Sequence, residues 1–120
     1  MLVYRVEHKI RRHGPYRTGG RSESITEGTD WLAHTKEMGR PCPENDIKCE
    51  DSGIWEGMKF GFSTVLKTKK WFGEFAKWLH ENGYVVSVYS VNRKDVILGG
   101  KQCCFDNGTL KEQIAIKDFF

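Results

Sequence analysis

Hydrophobic and polar residues alternate along the first segment of the chain. Residues 2–8 divide between two faces, one formed by Leu2, Tyr4 and Val6 and the other by Val3, Arg5 and Glu7. Because successive side chains of a strand point to opposite sides, this pattern predicts a half-buried strand whose second face is polar.

A strand followed by a helix is the clearest pattern in the chain. Phe60 and Phe62 alternate with their neighbours and predict a strand that ends at Ser63-Thr64. From Val65 onward, apolar residues recur at helical spacing, namely Phe72, Phe75, Ala76 and Leu79, with Trp71 and Trp78 beside them. This stripe predicts one long amphipathic helix, which Asn82-Gly83 ends in a left-handed turn.

The remaining C-terminal segments predict further strands. Residues 84–91 are rich in β-formers on both faces and predict a central strand covered on both sides. Segments 95–98 and 101–106 flank Gly99-Gly100, which is either a hairpin turn or a bulge that breaks one strand. Asp106-Asn107-Gly108 predicts a turn, and Ile114 and Ile116 mark a last strand.

Two long polar loops are predicted in the first half, at about 11–28 and 40–53, with a short helix between them that Thr29-Asp30 caps and Gly39 ends. The fold class that follows is α+β, a single domain over residues 1–120. It has a mostly antiparallel sheet, one long amphipathic helix and a short second helix. Loops of this length are usually functional or mobile, so function is expected there.

Charge is distributed unevenly along the chain. Residues 1–25 carry a net charge of +4, residues 26–57 of −5 and residues 58–120 of +4. The basic segment contains Lys9, Arg11, Arg12, Arg17 and Arg21. It either pairs with the acidic middle and stays solvated, or it forms a patch for anions or nucleic acid.

Composition favours a chain in the cytoplasm. No apolar run approaches the roughly 20 residues of a membrane span, and the N-terminus lacks the pattern of a signal peptide, so no membrane association is expected. The four cysteines are then expected to be reduced.

Most catalytic and metal-binding motifs are missing. His34, Cys42 and Cys49 share one segment but match no compact zinc spacing, so no metal site is predicted, although the sequence leaves open whether Cys42 and Cys49 bind one. A G-x-S-x-G elbow and a phosphate-binding glycine loop do not occur. The basic segment favours nucleic-acid binding only weakly, because the acidic middle of the chain would repel phosphate.

One constellation resembles the ADP-ribosyltransferase fold. It consists of Arg5 in the first strand, the FGFST strand end with Ser63 and Thr64, and Gln102 in a late strand, with GPYRTGG similar to the family's glycine-bearing entry loops. The resemblance implies NAD or ADP-ribose as ligand, with Arg5, Ser63 and Gln102 as the catalytic set. Tyr16, Arg17 and Thr64 join Arg5 and Ser63 as ligand-binding residues.

Gln102 departs from the family pattern, which has a glutamate in the late strand. A neutral amide supplies no charge to an oxocarbenium centre, and Asp106 is the nearest carboxylate in sequence. The alternative is local: Arg5 pairs with Glu7 or a helix residue, Ser63 caps the helix, and Gln102 is a sheet-edge amide.

The whole chain also resembles small proteins encoded by phages and prophages, which are short, aromatic-rich and loop-heavy, without a complete active site. The preferred interpretation is an accessory or anti-defence protein that binds a host or defence protein, or its nucleotide ligand, without a cofactor. Arg11, Arg12, Trp31 and Trp55 are the predicted partner-binding residues, since Arg and Trp are frequent at binding hot spots. An ADP-ribosyltransferase-like NAD-binding enzyme or module is the alternative.

Overall fold

The structure is a computed structural model, and it describes residues 1–12, 14 and 58–120. The elements in this part of the chain are β1 (Leu2–His8), β2 (Lys59–Gly61), α1 (Val65–Phe72), α2 (Ala76–Glu81), β3 (Tyr84–Ser90), β4 (Val96–Leu98), β5 (Cys103–Phe105), β6 (Thr109–Ala115) and α3 (Ile116–Phe119). Short 3₁₀ turns lie at Gly73–Phe75 and Arg93–Asp95. The predicted α+β class is confirmed.

The strands form two antiparallel three-stranded sheets, in the orders β1-β3-β6 and β2-β5-β4. Tyr4 and Phe62 join the sheets through two backbone hydrogen bonds of 2.8 Å each. Gly61 makes this approach possible, because a Cβ there would lie 2.8 Å from the Tyr4 carbonyl oxygen and from Val3.

The predicted long helix is present as α1, a 3₁₀ turn and α2 in succession. Its cap is Thr64, not Ser63: the backbone of Thr64 is extended, and its side chain accepts a hydrogen bond from the Lys67 N–H at 3.1 Å. Gly83, with φ of +80°, ends the helical segment as predicted.

Two hydrophobic cores lie on opposite sides of the first sheet. The helices cover one side and form what we call the helix-side core, whose buried residues include Val6, Phe62, Trp71, Phe72, Leu79, Val86 and Ile116. The second core, which we call the inter-sheet core, joins residues of both sheets, namely Val3, Tyr89, Val91, Val96, Cys103 and Phe105. The central position of β3, covered on both faces, is therefore confirmed.

The second face of β1 is polar as predicted, but the prediction that the strand is only half-buried is wrong. Val3, Arg5 and Glu7 are all buried on that side, and the two charged residues form an ion pair there. A polar face can be buried in this way because its charges have partners within the fold.

The C-terminal strands resolve the remaining alternatives. Gly99-Gly100 lies in the connection of a β4–β5 hairpin, and the Gly99 N–H donates to the Gln102 carbonyl oxygen at 2.8 Å. The last strand ends at Ala115, so the assignment of Ile116 to that strand is wrong. Ile116 begins α3 and is buried in the helix-side core.

Most of the predicted loops, and the short helix near Trp31, lie outside the described residues. The described start of the first loop, Arg11 and Arg12, forms a turn and an irregular position after β1. The short helix that the structure does describe is α3.

Candidate functional site

A buried carboxylate, Glu7, is the centre of the most elaborate polar network among the described residues. Its side chain is fully enclosed, with 0% exposure. The donors to its two oxygens are Arg5 Nε at 2.9 Å, Arg12 Nε at 2.8 Å, Ser87 Oγ at 2.6 Å and the Tyr89 hydroxyl at 2.8 and 3.0 Å. We call these five residues the Glu7 cluster.

Strand register brings the members of the Glu7 cluster together. Arg5 and Glu7 are two residues apart on β1 and therefore share a face, as do Ser87 and Tyr89 on β3. Arg5 lies directly opposite Ser87 in the antiparallel pairing of the two strands. At the edge of β3 away from β1, Ser87 pairs with Gln113 of β6, whose amide donates to the Ser87 hydroxyl at 3.4 Å.

The electrostatics of the Glu7 cluster favour a charged Arg12 and a neutral Tyr89. Hydrogen bonding to Tyr89 is the main cause that raises the pKa of Arg12, and the nearby charge of Glu7 adds to it. Burial raises the pKa of the Tyr89 hydroxyl. A charged carboxylate surrounded by donors is stable in a low-dielectric site, whereas an unpaired one is strongly unfavourable.

The chain leaves this cluster through a tight turn at residues 8–12, which we call the His8 turn. His8 Nδ1 accepts hydrogen bonds from the backbone N–H groups of Ile10 and Arg11 at 3.2 and 3.1 Å. The His8 carbonyl oxygen accepts from the Arg12 N–H at 2.9 Å, and the Lys9 N–H donates to the Gly83 carbonyl oxygen at 2.9 Å. Four consecutive backbone donors are thus satisfied.

Side chains fix both ends of the His8 turn. The His8 ring packs edge-on against Tyr84, with ring centroids 5.6 Å apart. Arg12 has a φ of +66°, a left-handed conformation that is costly for residues other than glycine. Its guanidinium is bonded to Glu7 and to the Tyr89 hydroxyl, which holds the backbone in that conformation.

What the His8 turn presents to solvent is an apolar side chain beside basic ones. Ile10 is 82% exposed, the largest exposure among the large hydrophobic residues described. Lys9 and Arg11, its neighbours, are also exposed. The turn therefore presents an exposed apolar side chain on a backbone that is held by hydrogen bonds.

Arg5, the first of the predicted catalytic and ligand-binding residues, is buried and engaged within the fold. Its guanidinium donates to Glu7 and, from Nη1, to the Phe60 carbonyl oxygen at 2.8 Å. The local interpretation of Arg5, as the ion-pair partner of Glu7, is therefore observed. Gly14 lies against the same guanidinium, with its ideal Cβ position 3.5 Å from Nη2.

Ser63, Thr64 and Gln102 lie where β2 ends and β5 begins, close to the start of α1. Ser63 is half-buried, Thr64 is the exposed helix cap, and Gln102 is buried just before β5. The register brings β2 between β1 and β5, so Arg5, Ser63 and Gln102 come from three neighbouring segments. Their joint role in binding NAD or ADP-ribose stays a prediction.

The other predicted site residues fall into two groups. Arg11 and Arg12 lie in the His8 turn, the first exposed and the second bonded to Glu7. The rest lie outside the described residues; these are Tyr16, Arg17, Trp31 and Trp55, together with His34, Cys42 and Cys49.

Sequence reasoning missed the centre of the cluster and one of its supports. The sequence predicts Glu7 only as a local ion-pair partner of Arg5, and it predicts no role for His8. The sequence does contain a clue, since Arg5 and Glu7 occupy the same face of a strand otherwise rich in apolar residues. No sequence pattern indicates that Ser87 and Tyr89 of β3 donate to Glu7.

Neither a metal site nor a membrane-spanning helix is found in the described ranges. No group of three His, Cys, Asp or Glu side chains between residues 1–12 or 58–120 could hold a metal ion. Over the same residues, every helix is too short or too polar to cross a bilayer.

Comparison with known proteins identifies the family of the chain. No curated protein and no solved structure matches it. The family model described as Bacteriophage T4 Y00F protein matches residues 1–117, which is nearly the whole length. The chain therefore belongs to the bacteriophage T4 Y00F protein family and is a small phage-encoded protein.

Proposed function

We propose that this phage accessory protein acts by binding a host or defence protein, and that the His8 turn is part of its recognition surface. The observation that carries the proposal is the 82% exposure of Ile10 on a turn whose backbone donors are all bonded. An exposed isoleucine on a fixed turn can enter an apolar pocket without first having to be ordered.

Preorganisation of the turn strengthens this argument. Binding by a mobile loop costs the entropy of ordering its backbone, roughly 1–2 kcal/mol per residue. The bonds from His8, Gly83 and the Glu7 cluster remove most of that cost for residues 9–12. The buried carboxylate then serves recognition indirectly, by holding Arg12 and with it the geometry of Ile10.

Charge indicates the chemistry of the partner. The turn carries Lys9 and Arg11 beside Ile10, and residues 1–25 have a net charge of +4. A complementary surface would have an apolar pocket bordered by carboxylates. Such complementarity raises the association rate and excludes partners of like charge.

The test begins with affinity capture from lysate of a bacterial host, followed by purification of each captured protein and calorimetry with the pure pair. Ile10→Asp and Arg11→Glu are expected to weaken the confirmed complex at least about tenfold, since each removes a central contact. Both changes are at exposed positions, so the urea midpoint of the free protein should stay unchanged.

Leu98→Asp is the matched control, because Leu98 is an exposed apolar residue in the β4–β5 hairpin. It should bind like the unmodified protein. If Ile10→Asp binds as tightly as the control, the His8 turn is not part of the interface. If no captured protein forms a stoichiometric complex, protein recognition itself fails.

Binding of NAD or ADP-ribose is a second candidate, supported by the arrangement of β1, β2 and β5 as neighbours. Calorimetry with each nucleotide tests it. Binding that Ser63→Ala and Gln102→Ala weaken, while Ile10→Asp leaves it unchanged, would favour this candidate. A flat titration at millimolar nucleotide would exclude it, and so would binding that neither substitution affects.

A further inference from the structure

We propose that a second surface docks this protein onto an anionic lipid bilayer. The surface is formed by Met1, Leu2, Val65 and Leu66, and we call it the Leu66 patch. It lies where the start of β1 meets the start of α1 and is independent of the His8 turn, which follows the other end of β1.

Exposure marks these residues. The structure describes six exposed large hydrophobic side chains, and four of them belong to the Leu66 patch, with exposures of 38–61%. Exposed aliphatic residues are common singly and need no explanation. Four that lie near the start of β1 and the start of the same helix form an apolar region of the kind that often has a function.

The backbone brings Leu2 close to Val65 and Leu66, and Met1 directly precedes Leu2. Tyr4 and Phe62 pair in antiparallel fashion, so the chain beyond Phe62 runs towards the N-terminus as β1 is followed backwards. Two residues before Tyr4 lies Leu2, and three residues after Phe62 lies Val65. Helix α1 starts there and contacts β1.

The patch is held in place at its N-terminal end. The ammonium group of Met1 donates to the Val91 carbonyl oxygen at 2.6 Å, and the Val91 N–H donates to the Met1 carbonyl oxygen at 2.8 Å. Met1 and Leu2 are therefore part of the sheet margin. A fixed apolar edge can insert among lipids without being ordered first.

Basic residues border the patch. Helix α1 contains Lys67, Lys69 and Lys70 and no carboxylate. Lys69 and Lys70 are exposed and follow Val65 and Leu66 by four positions, so each lies one turn along the same helix face. On the other side, exposed Arg93 and Lys94 follow the Met1 contact at Val91.

Composition distinguishes a lipid surface from a protein partner. Protein interfaces are enriched in Trp, Tyr and Arg and depleted in Lys, and Leu and Val are infrequent among their hot spots. The patch has no aromatic side chain, and lysines border it on α1. Aliphatic residues that insert at the headgroup level, beside lysines that meet anionic headgroups, are the pattern of interfacial association.

Such docking is peripheral and agrees with the lack of a spanning helix in the described part of the chain. The sequence argument against a membrane partner concerned a spanning segment, and four exposed aliphatic residues lie well below that requirement. The bilayer would be bound reversibly and in a salt-dependent way, since part of the attraction is between lysines and lipid phosphates.

Co-sedimentation with vesicles tests the proposal. Full-length protein is mixed with vesicles of phosphatidylglycerol and phosphatidylethanolamine, and separately with vesicles of phosphatidylcholine alone. We expect binding to the anionic vesicles that falls with added salt, and little binding to phosphatidylcholine. Equal binding to both vesicle types, or to neither, would overturn the proposal.

Two substitutions locate the site. Leu66→Asp and the pair Lys69→Glu/Lys70→Glu are each expected to lower the partition onto anionic vesicles by about tenfold or more. The matched controls are Leu98→Asp and Lys101→Glu/Lys111→Glu, which make the same changes at exposed positions in other parts of the fold. If the controls lose as much binding as the patch variants, the association is with net charge alone and the proposal fails.

Other occupants of the patch give different outcomes. A second copy of the chain would produce a dimer in analytical ultracentrifugation that Leu66→Asp dissociates, with no vesicle binding. A protein partner would give a complex that is sensitive to Leu66→Asp, again without vesicle binding. Either result would assign the patch to a protein and overturn lipid docking.

Discussion

The two ends of β1 are built from the same alternating pattern, but they stabilise the molecule by different means. At the N-terminal end, Val3 packs in the inter-sheet core and Tyr4 bonds to Phe62. At the C-terminal end, Arg5 and Glu7 occupy the corresponding face, and hydrogen bonds replace apolar packing.

This difference explains what each end presents to solvent. The apolar end is stabilised by close packing alone, so the exposed side chains beside it can be apolar. The polar end requires a specific set of donors, and satisfying them fixes the turn that follows. A buried ion pair adds little net stability compared with apolar packing, but losing one partner is costly. The Glu7 cluster therefore provides geometry more than stability.

The largest expected effect is at the polar end, on replacing Glu7 with alanine. Arg5 would be left buried without its carboxylate, so the free energy of unfolding should fall by about 3–5 kcal/mol. Urea denaturation measures the change, and Glu7→Gln, which keeps the shape, provides a folded variant if the alanine variant does not fold. Glu112→Ala, at an exposed position on β6, should change stability by less than about 0.5 kcal/mol. A Glu7→Ala loss no larger than this control would remove the contrast between the two ends.

At the apolar end, the corresponding test is Gly61→Ala. The new Cβ would meet the Tyr4 carbonyl oxygen and Val3 at 2.8 Å, and the sheets would have to separate. A loss of about 1–3 kcal/mol is expected in urea denaturation. Gly73→Ala is the control: it is helical, with nothing within 4 Å, and should be neutral or stabilise by about 0.4–1 kcal/mol. If the two alanines behave alike, close approach at Gly61 does not matter.

Alkaline pH should weaken the inter-sheet core. Burial raises the pKa of the Cys103 thiol from 9.0 to about 12. Because the folded state holds this proton more tightly, the unfolded state loses it first, and stability falls as the pH rises above 9.0. The limiting slope is about 1.4 kcal/mol per pH unit. The raised pKa of Tyr89 acts in the same direction, above 10.0.

Urea unfolding over a series of pH values measures that slope. Cys103→Ala should be less stable at neutral pH, because it leaves a small cavity, but its stability should fall less steeply above pH 9.0. Identical slopes for the variant and the unmodified protein would show that Cys103 does not titrate in this range.

The smallest expected effect concerns the backbone of the His8 turn. Arg12→Ala and Arg12→Gly both remove the ion pair with Glu7, but only alanine keeps a Cβ at a φ of +66°. The glycine variant should therefore be more stable by about 1 kcal/mol. Thermal or urea denaturation of the two variants gives the difference directly. An alanine variant as stable as the glycine variant would indicate that the turn relaxes once the ion pair is lost.

The helices and strands of residues 58–120 were largely predictable, because the local sequence pattern and the tertiary environment agree there. The stripe that includes Phe72 and Leu79 faces the helix-side core, Gly83 adopts the left-handed conformation, and the β3 strand is buried on both faces. Thr64 rather than Ser63 caps the helix because its hydroxyl accepts from the Lys67 N–H, which two adjacent hydroxyl residues do not reveal in sequence.

The candidate site was predictable only in part. Arg5 and Glu7 are visible as neighbours on one face, but polar residues on a strand normally indicate solvent. Their burial depends on Ser87 and Tyr89, which come from a distant strand, and on an arginine in a left-handed conformation. Ile116 was misassigned for a similar reason: its β-branched side chain favours a strand, but packing under the helices places it in α3.

The pairing of β1 with β3 has a consequence for synthesis of the chain. Glu7 leaves the ribosome 80 positions before Ser87 and 82 positions before Tyr89. At ordinary rates of translation this delay is roughly 4–16 s. During that time β1 lacks its β3 partner, so a nascent chain that stops before residue 84 contains the first strand but none of the donors from β3.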